Sequence, residues 1–383
     1  MTPPANAPSI AAPETNSAPD FSQGSPQAKQ PPPSKLYSIQ YLRAAAAMMV
    51  VIYHAVYQPG GPPVTESLQA GVDIFFVISG FIVAFVTARK RYTPWLFLRM
   101  RIVRIVPVYW FYTILAASLL FLTPGLFHGN ELSWRHLLLS LIIVPHAVGA
   151  HSGQFKPIVK QGWTLEYEMF FYLLFAFAMA ATHRFRIWIS GLLLILLPMV
   201  GYLAASHGGS HAQSGGETAL SLLDRPIILE FGMGMLLCAA YLHGALILVN
   251  RAVSLLLIAL GFAAIFLSGI NAVETRTLWF GIPALAIVAG AVSLEAHGWV
   301  GSFKPLLLLG DASYSIYLVH AFPIAVMKWF WLREHFGTGN SFSSWVFVIS
   351  CLAVSVPAGI GSYLWIEKPS LKFLRRTIES PQC

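Results

Sequence analysis

The chain has 383 residues, 56% of them hydrophobic and only 10% charged, with a mean hydropathy of +0.65 and a formal net charge of +8. Soluble domains carry about 25% charged residues, so apolar runs recurring over most of the length mark a polytopic membrane protein. The positive charge is no nucleic-acid signal, because the basic residues cluster beside the apolar segments, where they set topology.

Residues 1–35 are rich in Pro, Ala, Ser, Gln and Asn and nearly devoid of large apolar side chains. Such a segment cannot offset its ordering entropy and is expected to be a disordered tail. No basic stretch leads into an apolar one there, so the first hydrophobic helix is expected to serve as an uncleaved anchor. Ten spanning segments follow, at about 37–57, 70–88, 105–123, 163–181, 187–206, 226–243, 251–269, 277–295, 311–332 and 345–366. With the N-terminus in the cytoplasm, sixteen Lys/Arg fall on inner flanks and six on outer ones. That bias places both termini on the cytoplasmic side of the membrane. Leu132 to Val144 is apolar but too short to span, and counting it as a span would invert the bias; it reads as a re-entrant or interfacial helix. The fold expected is therefore all-α: a polytopic membrane bundle of about ten helices plus that short one, over residues 36–376, with a short cytoplasmic tail at 377–383. Cys238, Cys351 and Cys383 show neither pairing nor metal-ligand spacing. His207 and His211 share a Gly/Ser-rich outer loop, too little to define a site, and no metal is expected.

Several polar residues interrupt the apolar segments. Arg43 and His54 are eleven residues apart in the first one. Three helical turns take about 10.8 residues, so both project from one face, separated by roughly 16 Å of rise. Intramembrane ionisable groups are functional candidates, although an arginine reaching the headgroups and a histidine satisfied by a neighbouring helix would look the same. Asp73, near the outer end of the second segment, could approach His54 and fix its tautomer, or could cap its own helix. The inner connection carries Arg99, Arg101 and Arg104; Arg101 and Arg104 share a helix face. This cluster suits an anionic cytosolic ligand such as a coenzyme A ester, or anionic lipid headgroups. Glu168 lies one turn inside the fourth segment, and the ninth opens with Asp311, Ser313, Tyr314, Ser315 and His320. Ser313 and Ser315 read as inter-helix hydrogen-bonding groups.

These stretches resemble the acyltransferase 3 membrane family. Tyr37-Ser-Ile-Gln-Tyr-Leu-Arg43 with ten residues before His54 is similar to its Arg-x10-His signature, and Gly71-Val-Asp-Ile-Phe-Phe-Val-Ile-Ser-Gly80 to its second motif. Arg99-x-Arg101 with Arg104-Ile-Val-Pro107 resembles the basic motif, and Trp163-Thr-Leu-Glu-Tyr-Glu168 the Trp-Ser-Leu-x-x-Glu pattern, with Thr164 in place of Ser. Ser313-Tyr-Ser-Ile-Tyr317-Leu-Val-His320 and Trp365-Ile-Glu367-Lys-Pro369 complete a set covering about residues 36 to 376. The opening and the Trp163 motif look most like the ExoZ-like, exopolysaccharide-modifying branch.

The resemblance implies a membrane O-acyltransferase that moves an acyl group, usually acetyl, from cytosolic acyl-CoA to a carbohydrate hydroxyl. Longer relatives append an extracytoplasmic esterase-like domain that this chain is expected to lack. The resemblance carries essential roles onto Arg43, His54, Arg99, Arg101, Glu168 and Asp73. On this reading Arg43, Arg99, Arg101 and Arg104 hold the donor phosphates, and its pantetheine arm runs along the first helix to His54. His54 acts as general base, with Asp73 or Glu168 orienting it, and Trp163, Tyr314 and His320 are candidate substrate-binding residues. Expected partners are a polysaccharide or lipid-linked repeat unit, membrane lipids and polysaccharide biosynthesis machinery. A transporter of acyl groups or glycolipid, or a non-catalytic partner of a polysaccharide synthase, would also place charges within the membrane.

Overall fold

A computed structural model describes residues 35–56, 66–123, 133–146, 156–207, 225–268, 275–333 and 341–379, and every regular element among them is helical. The tail at 1–34 and His211 lie outside the described residues. A bilayer core offers no water to backbone amides, so long apolar segments satisfy their own N–H and C=O groups as helices. In chain order these are α1 (Tyr37–Val56), α2 (Ala70–Arg89), α3 (Pro94–Leu122), α4 (Trp134–Leu141), α5 (Trp163–Ala181), α6 (Arg186–His207) and α7 (Ile228–Leu242). There follow α8 (Arg251–Ser268), α9 (Ile282–Ala296), α10 (Lys304–Val319), α11 (Ala321–Arg333), α12 (Ser341–Ser362) and α13 (Lys368–Glu379). A π-helical turn, Thr277–Gly281, leads into α9, and another, Tyr363–Glu367, joins α12 to α13.

Among the described residues seven helices are long and apolar enough to cross a membrane, and α10 with α11 makes an eighth if that bent pair is one span. The expected segments 187–206 and 226–243 are occupied by α6 and α7, which carry shorter apolar stretches. The chain is thus a multi-pass helical bundle, as expected. Two segments differ from their expected form. The ninth is broken, with its halves inclined by 57°. Pro323 lacks the N–H that would bond the Val319 carbonyl, and its ring crowds that turn, so the chain bends at His320. The third begins eleven residues before its expected start at 105. Thr93 caps it by accepting from the Leu96 N–H at 3.2 Å, and Pro94 takes the first turn, where no N–H is missed. The basic cluster therefore lies in a helix and not in a connecting loop. The short apolar stretch does form a non-spanning helix, α4, capped by Ser133 and tied to α3 by the Trp110 indole donating to the Leu141 carbonyl at 2.7 Å.

Inside a bilayer the hydrophobic effect does not drive helices together, so close packing depends on small residues. Here α2 and α7 interlock through glycines: a Cβ on Gly80 would lie 1.9 Å from the Phe231 carbonyl oxygen, and one on Gly234 would lie 2.0 Å from that of Val77. At the α1–α10 contact a Cβ on Gly310 would lie 2.2 Å from the Gln40 carbonyl. Buried Ala44, Ala46 and Ala47 keep α1 slim enough to touch α2, α9, α10 and α12 at once. The first turn of α1 is held from outside: Glu295, at the end of α9, accepts from the Tyr37 and Ser38 N–H groups at 3.1 and 2.6 Å. A carboxylate there satisfies donors that the helix cannot and complements its dipole.

Gly310→Val is therefore expected to force α10 from α1 and sharply reduce the yield of monodisperse protein in detergent. Gly301→Val, where a Cβ would meet nothing within 4 Å, is expected to be tolerated. Size-exclusion profiles of the two variants check this.

Candidate active site

One cavity of about 390 Å³ opens among α1, α2, α3, α5, α10 and α13. Its walls carry four arginines, Arg43, Arg101, Arg104 and Arg375, against a single carboxylate, Glu168. Arg101 is 8% exposed and lies over the rings of Phe97 and Tyr172, 5.2 and 5.4 Å from their centroids. Those rings hold the guanidinium in place without cancelling its charge. Glu168 accepts from Ser79 at 2.8 Å and from the Tyr172 hydroxyl, so the carboxylate is fixed to the cavity wall. Behind Arg104 and Arg43, within their electrostatic reach, is the buried Glu367, which accepts from Ser315 at 2.6 Å. Tyr314 donates to the carbonyl of Ile105, the residue after Arg104 on α3, at 2.7 Å, and lines the same cavity.

At its other end the cavity is lined by Thr164 and Tyr317, whose hydroxyls are 2.8 Å apart. Thr164 and Tyr317 both donate to the Gln161 carbonyl, at 3.0 and 3.1 Å. Behind this layer lie the two histidines. The rings of His54 and His320 have centroids 4.8 Å apart, and the Gln161 side-chain amide approaches His320 Nε2 at 3.4 Å. Nδ1 of His54 lies 2.9 Å from the Val50 carbonyl. A carbonyl can only accept, so it assigns the ring hydrogen to Nδ1 and leaves the Nε2 lone pair available. Lys328 of α11 donates to the His54 carbonyl at 3.3 Å, placing a cation at the C-terminal end of α1.

Several expected positions are altered by this geometry. Arg43, Arg101, Arg104, Glu168 and Tyr314 meet in the cavity; His54 and His320 meet each other one residue layer beyond it and are not among its lining residues. Arg99, on the same helix, does not line the cavity either, because two residues from Arg101 is about 200° around a helix. Trp163 packs edge-on against Tyr167 at 6.0 Å, also outside the cavity lining. Glu168 is bonded at the arginine end, where Ser79 and Tyr172 hold it. Asp73 is neither a helix cap nor a visible partner of His54: its fully buried carboxylate receives Arg276 at 3.0 and 2.7 Å. Arg276 also donates to the side chain and backbone carbonyl of Gln69, at 3.1 and 3.2 Å. In the sequence, Arg276 and Arg375 belong simply to the Lys/Arg flanking the spans. For Arg276 the available signal was a lone cation at the mouth of a span; for Arg375 it was its place in an amphipathic terminal helix. Among the described residues no group of three or more His, Cys, Asp or Glu could hold a metal ion.

Fold and site together define a multi-pass membrane protein with an anion-attracting cavity that ends near an imidazole pair. Residues 36–364 match the model of the acyltransferase 3 family, described as an acyltransferase domain, and the chain belongs to that family. It is 36% identical over 304 residues to the exopolysaccharide production protein ExoZ of Rhizobium meliloti, covering 79% of this chain and 89% of that protein. It is also 28% identical over 377 residues to the O-acetyltransferase OatA of Staphylococcus aureus, covering 88% of this chain but only 58% of OatA. No solved structure matches the chain.

The Asp73–Arg276 pair gives a stability prediction. Removing one partner of a buried ion pair leaves an uncompensated charge at a cost of about 3–5 kcal/mol, whereas replacing both by neutral groups costs much less. Arg276→Ala is expected to lower the unfolding midpoint in detergent strongly, and Asp73→Asn with Arg276→Gln is expected to recover most of the loss. A thermal-stability scan of the single and double variants decides it.

Proposed function

We propose that this chain is a membrane O-acyltransferase that takes an acyl group, most simply acetyl, from cytosolic acyl-CoA and places it on a hydroxyl of an exopolysaccharide sugar or its lipid-linked precursor. The observation that carries this reading is the excess of guanidinium over carboxylate in one cavity, four to one. Guanidinium binds phosphate through paired charge-assisted hydrogen bonds, so such a wall suits the polyanionic end of a nucleotide-linked thioester. Family membership supports acyl transfer, and the names of the relatives ExoZ and OatA support a carbohydrate setting. The basic flanks of the spans support placing the termini, and the mouth beside Tyr92 and Arg375, on the cytoplasmic side of a bacterial inner membrane.

In this reaction Arg43, Arg101 and Arg104 bind the donor phosphates, and the thioester points toward Thr164 and Tyr317. The layer of Thr164, Tyr317 and Gln161 parts as donor and acceptor enter. His54 Nε2 takes the proton from the acceptor hydroxyl as its oxygen forms the ester bond and the C–S bond breaks. That proton then passes to the departing thiolate, giving free CoA. His320 contacts the acceptor beside His54. Asp73 and Arg276 fix α2 against the turn before α9, and Glu168 orients Arg101 through Tyr172. In place of a carboxylate, the Val50 carbonyl selects the base's tautomer. Asp73 supports the site as part of the scaffold, Arg99 supplies positive potential to the mouth, and Trp163 holds the acceptor-side end of α5.

His54→Ala is expected to lower acyl transfer by about 10²–10⁴-fold, with membrane abundance unchanged, in vesicles supplied with labelled acetyl-CoA. Retention of full transfer would remove His54 from the reaction. Arg101→Ala is expected to raise the KM for acetyl-CoA roughly tenfold or more, the loss of one hydrogen bond to a charged group. Polymer from cells lacking the chain should lose alkali-labile ester groups; intact esters would favour a transport or assembly role.

A further inference from the structure

The last helix, α13, carries Lys368, Lys372, Arg375 and Arg376 among Leu371, Phe373 and Leu374. Phe373 is 69% exposed and Trp365, just before the helix, 82%, which gives this end of the bundle an apolar outer face. That pattern alone describes a helix lying at a membrane surface. Its placement adds something else. α13 packs along α3, the helix that bears Arg101 and Arg104, and α13 contributes Arg375 to the wall of the cavity those two arginines line. Tyr92, from the connection between α2 and α3, lines it too. Arg376 is about 100° further around the helix and does not. Arg375 is exposed at this rim, and among the described residues no hydrogen bond or ion pair occupies its guanidinium.

We infer that Arg375 is a phosphate-binding residue of the donor site and that α13 forms one wall of that site. The inference rests on the reading of the donor as acyl-CoA. Arg43 and Arg104 lie within reach of buried Glu367 and of Glu168, whereas Arg375 projects from α13 with its positive charge unpaired among the described residues. A guanidinium so placed offers a two-pronged seat for a phosphate at the nucleotide end of the donor, leaving the inner arginines for phosphates nearer the thioester. A lipid phosphate would satisfy the same chemistry from outside the cavity, so the two sources have to be separated by experiment.

The test is binding of labelled acetyl-CoA to the full-length protein in nanodiscs of phosphatidylcholine alone and of phosphatidylcholine with phosphatidylglycerol. Arg375→Glu is expected to weaken binding roughly five- to tenfold in both lipids, Arg375→Lys less, and Arg376→Glu by under twofold. Equal affinity of wild type and Arg375→Glu would overturn the inference and leave the proposed function standing. An Arg375→Glu effect confined to the phosphatidylglycerol discs would assign the residue to lipid headgroups and overturn it as well. A wild-type protein that binds no acetyl-CoA would remove the proposed donor, and this inference with it.

Discussion

Positive charge inside an apolar bundle is the constraint that the rest of the structure answers. Ionised groups at membrane depth are tolerated only where they face protein or a water-filled cavity and find partners there. Around Arg43, Arg101 and Arg104 the chain provides partners that steady the cations without filling the space between them. Aromatic faces flank Arg101, Glu168 is fixed to the wall by Ser79 and Tyr172, and Glu367 is held behind the wall by Ser315. An ion pair across the cavity would have satisfied the same electrostatics and closed it. Bonding each carboxylate to a hydroxyl leaves the cavity with a net positive lining, which is what an anionic ligand needs.

The buried Asp73–Arg276 ion pair answers a different need. Asp73 and Arg276 join residues 203 apart in sequence, tying the start of α2 to the turn that opens α9. Since α2 also carries Ser79, which holds Glu168, and Gly80, which seats α7, a shift of α2 along its axis would disturb the cavity wall and the helix interface together. The pair therefore acts through α2 on groups it does not touch. Its burial also explains why it is a pair at all, since a lone carboxylate in that position would have no water to solvate it.

Features set by local periodicity or by steric rules were legible in the sequence. The eleven-residue spacing does put Arg43 and His54 on one helix, and the two-residue spacing separates Arg99 from Arg101. The early start of α3 was written in Thr93-Pro94, a cap followed by a residue favoured in the first turn, and the bend at His320 in Pro323; hydropathy averages over both. What no local signal could give was partner choice. Asp73 is compatible with His54, with its own helix start or with a distant cation, and only the packing of α2 against the π-helical turn at Thr277–Gly281 selects Arg276. The same holds for Arg375, whose entry into the cavity depends on how α13 lies on α3.

Separation of the arginine cavity from the imidazole pair has a consequence for the proposed chemistry. A histidine continuous with a water-filled, cation-lined cavity would sit in its positive field, which opposes the imidazolium that a general base must become. Thr164 and Tyr317, which line the cavity, and Gln161, whose amide approaches His320, form a hydrogen-bonded layer beside the imidazole pair. Under the proposed function, this layer would have to open once the donor's own negative charge has offset the arginines. Premature hydrolysis would be disfavoured for the same reason, because a thioester bound without an acceptor would still face closed hydroxyls and not an activated base. The bend at His320 falls immediately beyond Tyr317, while Tyr314, one turn earlier on α10, anchors that helix to the Ile105 carbonyl of α3.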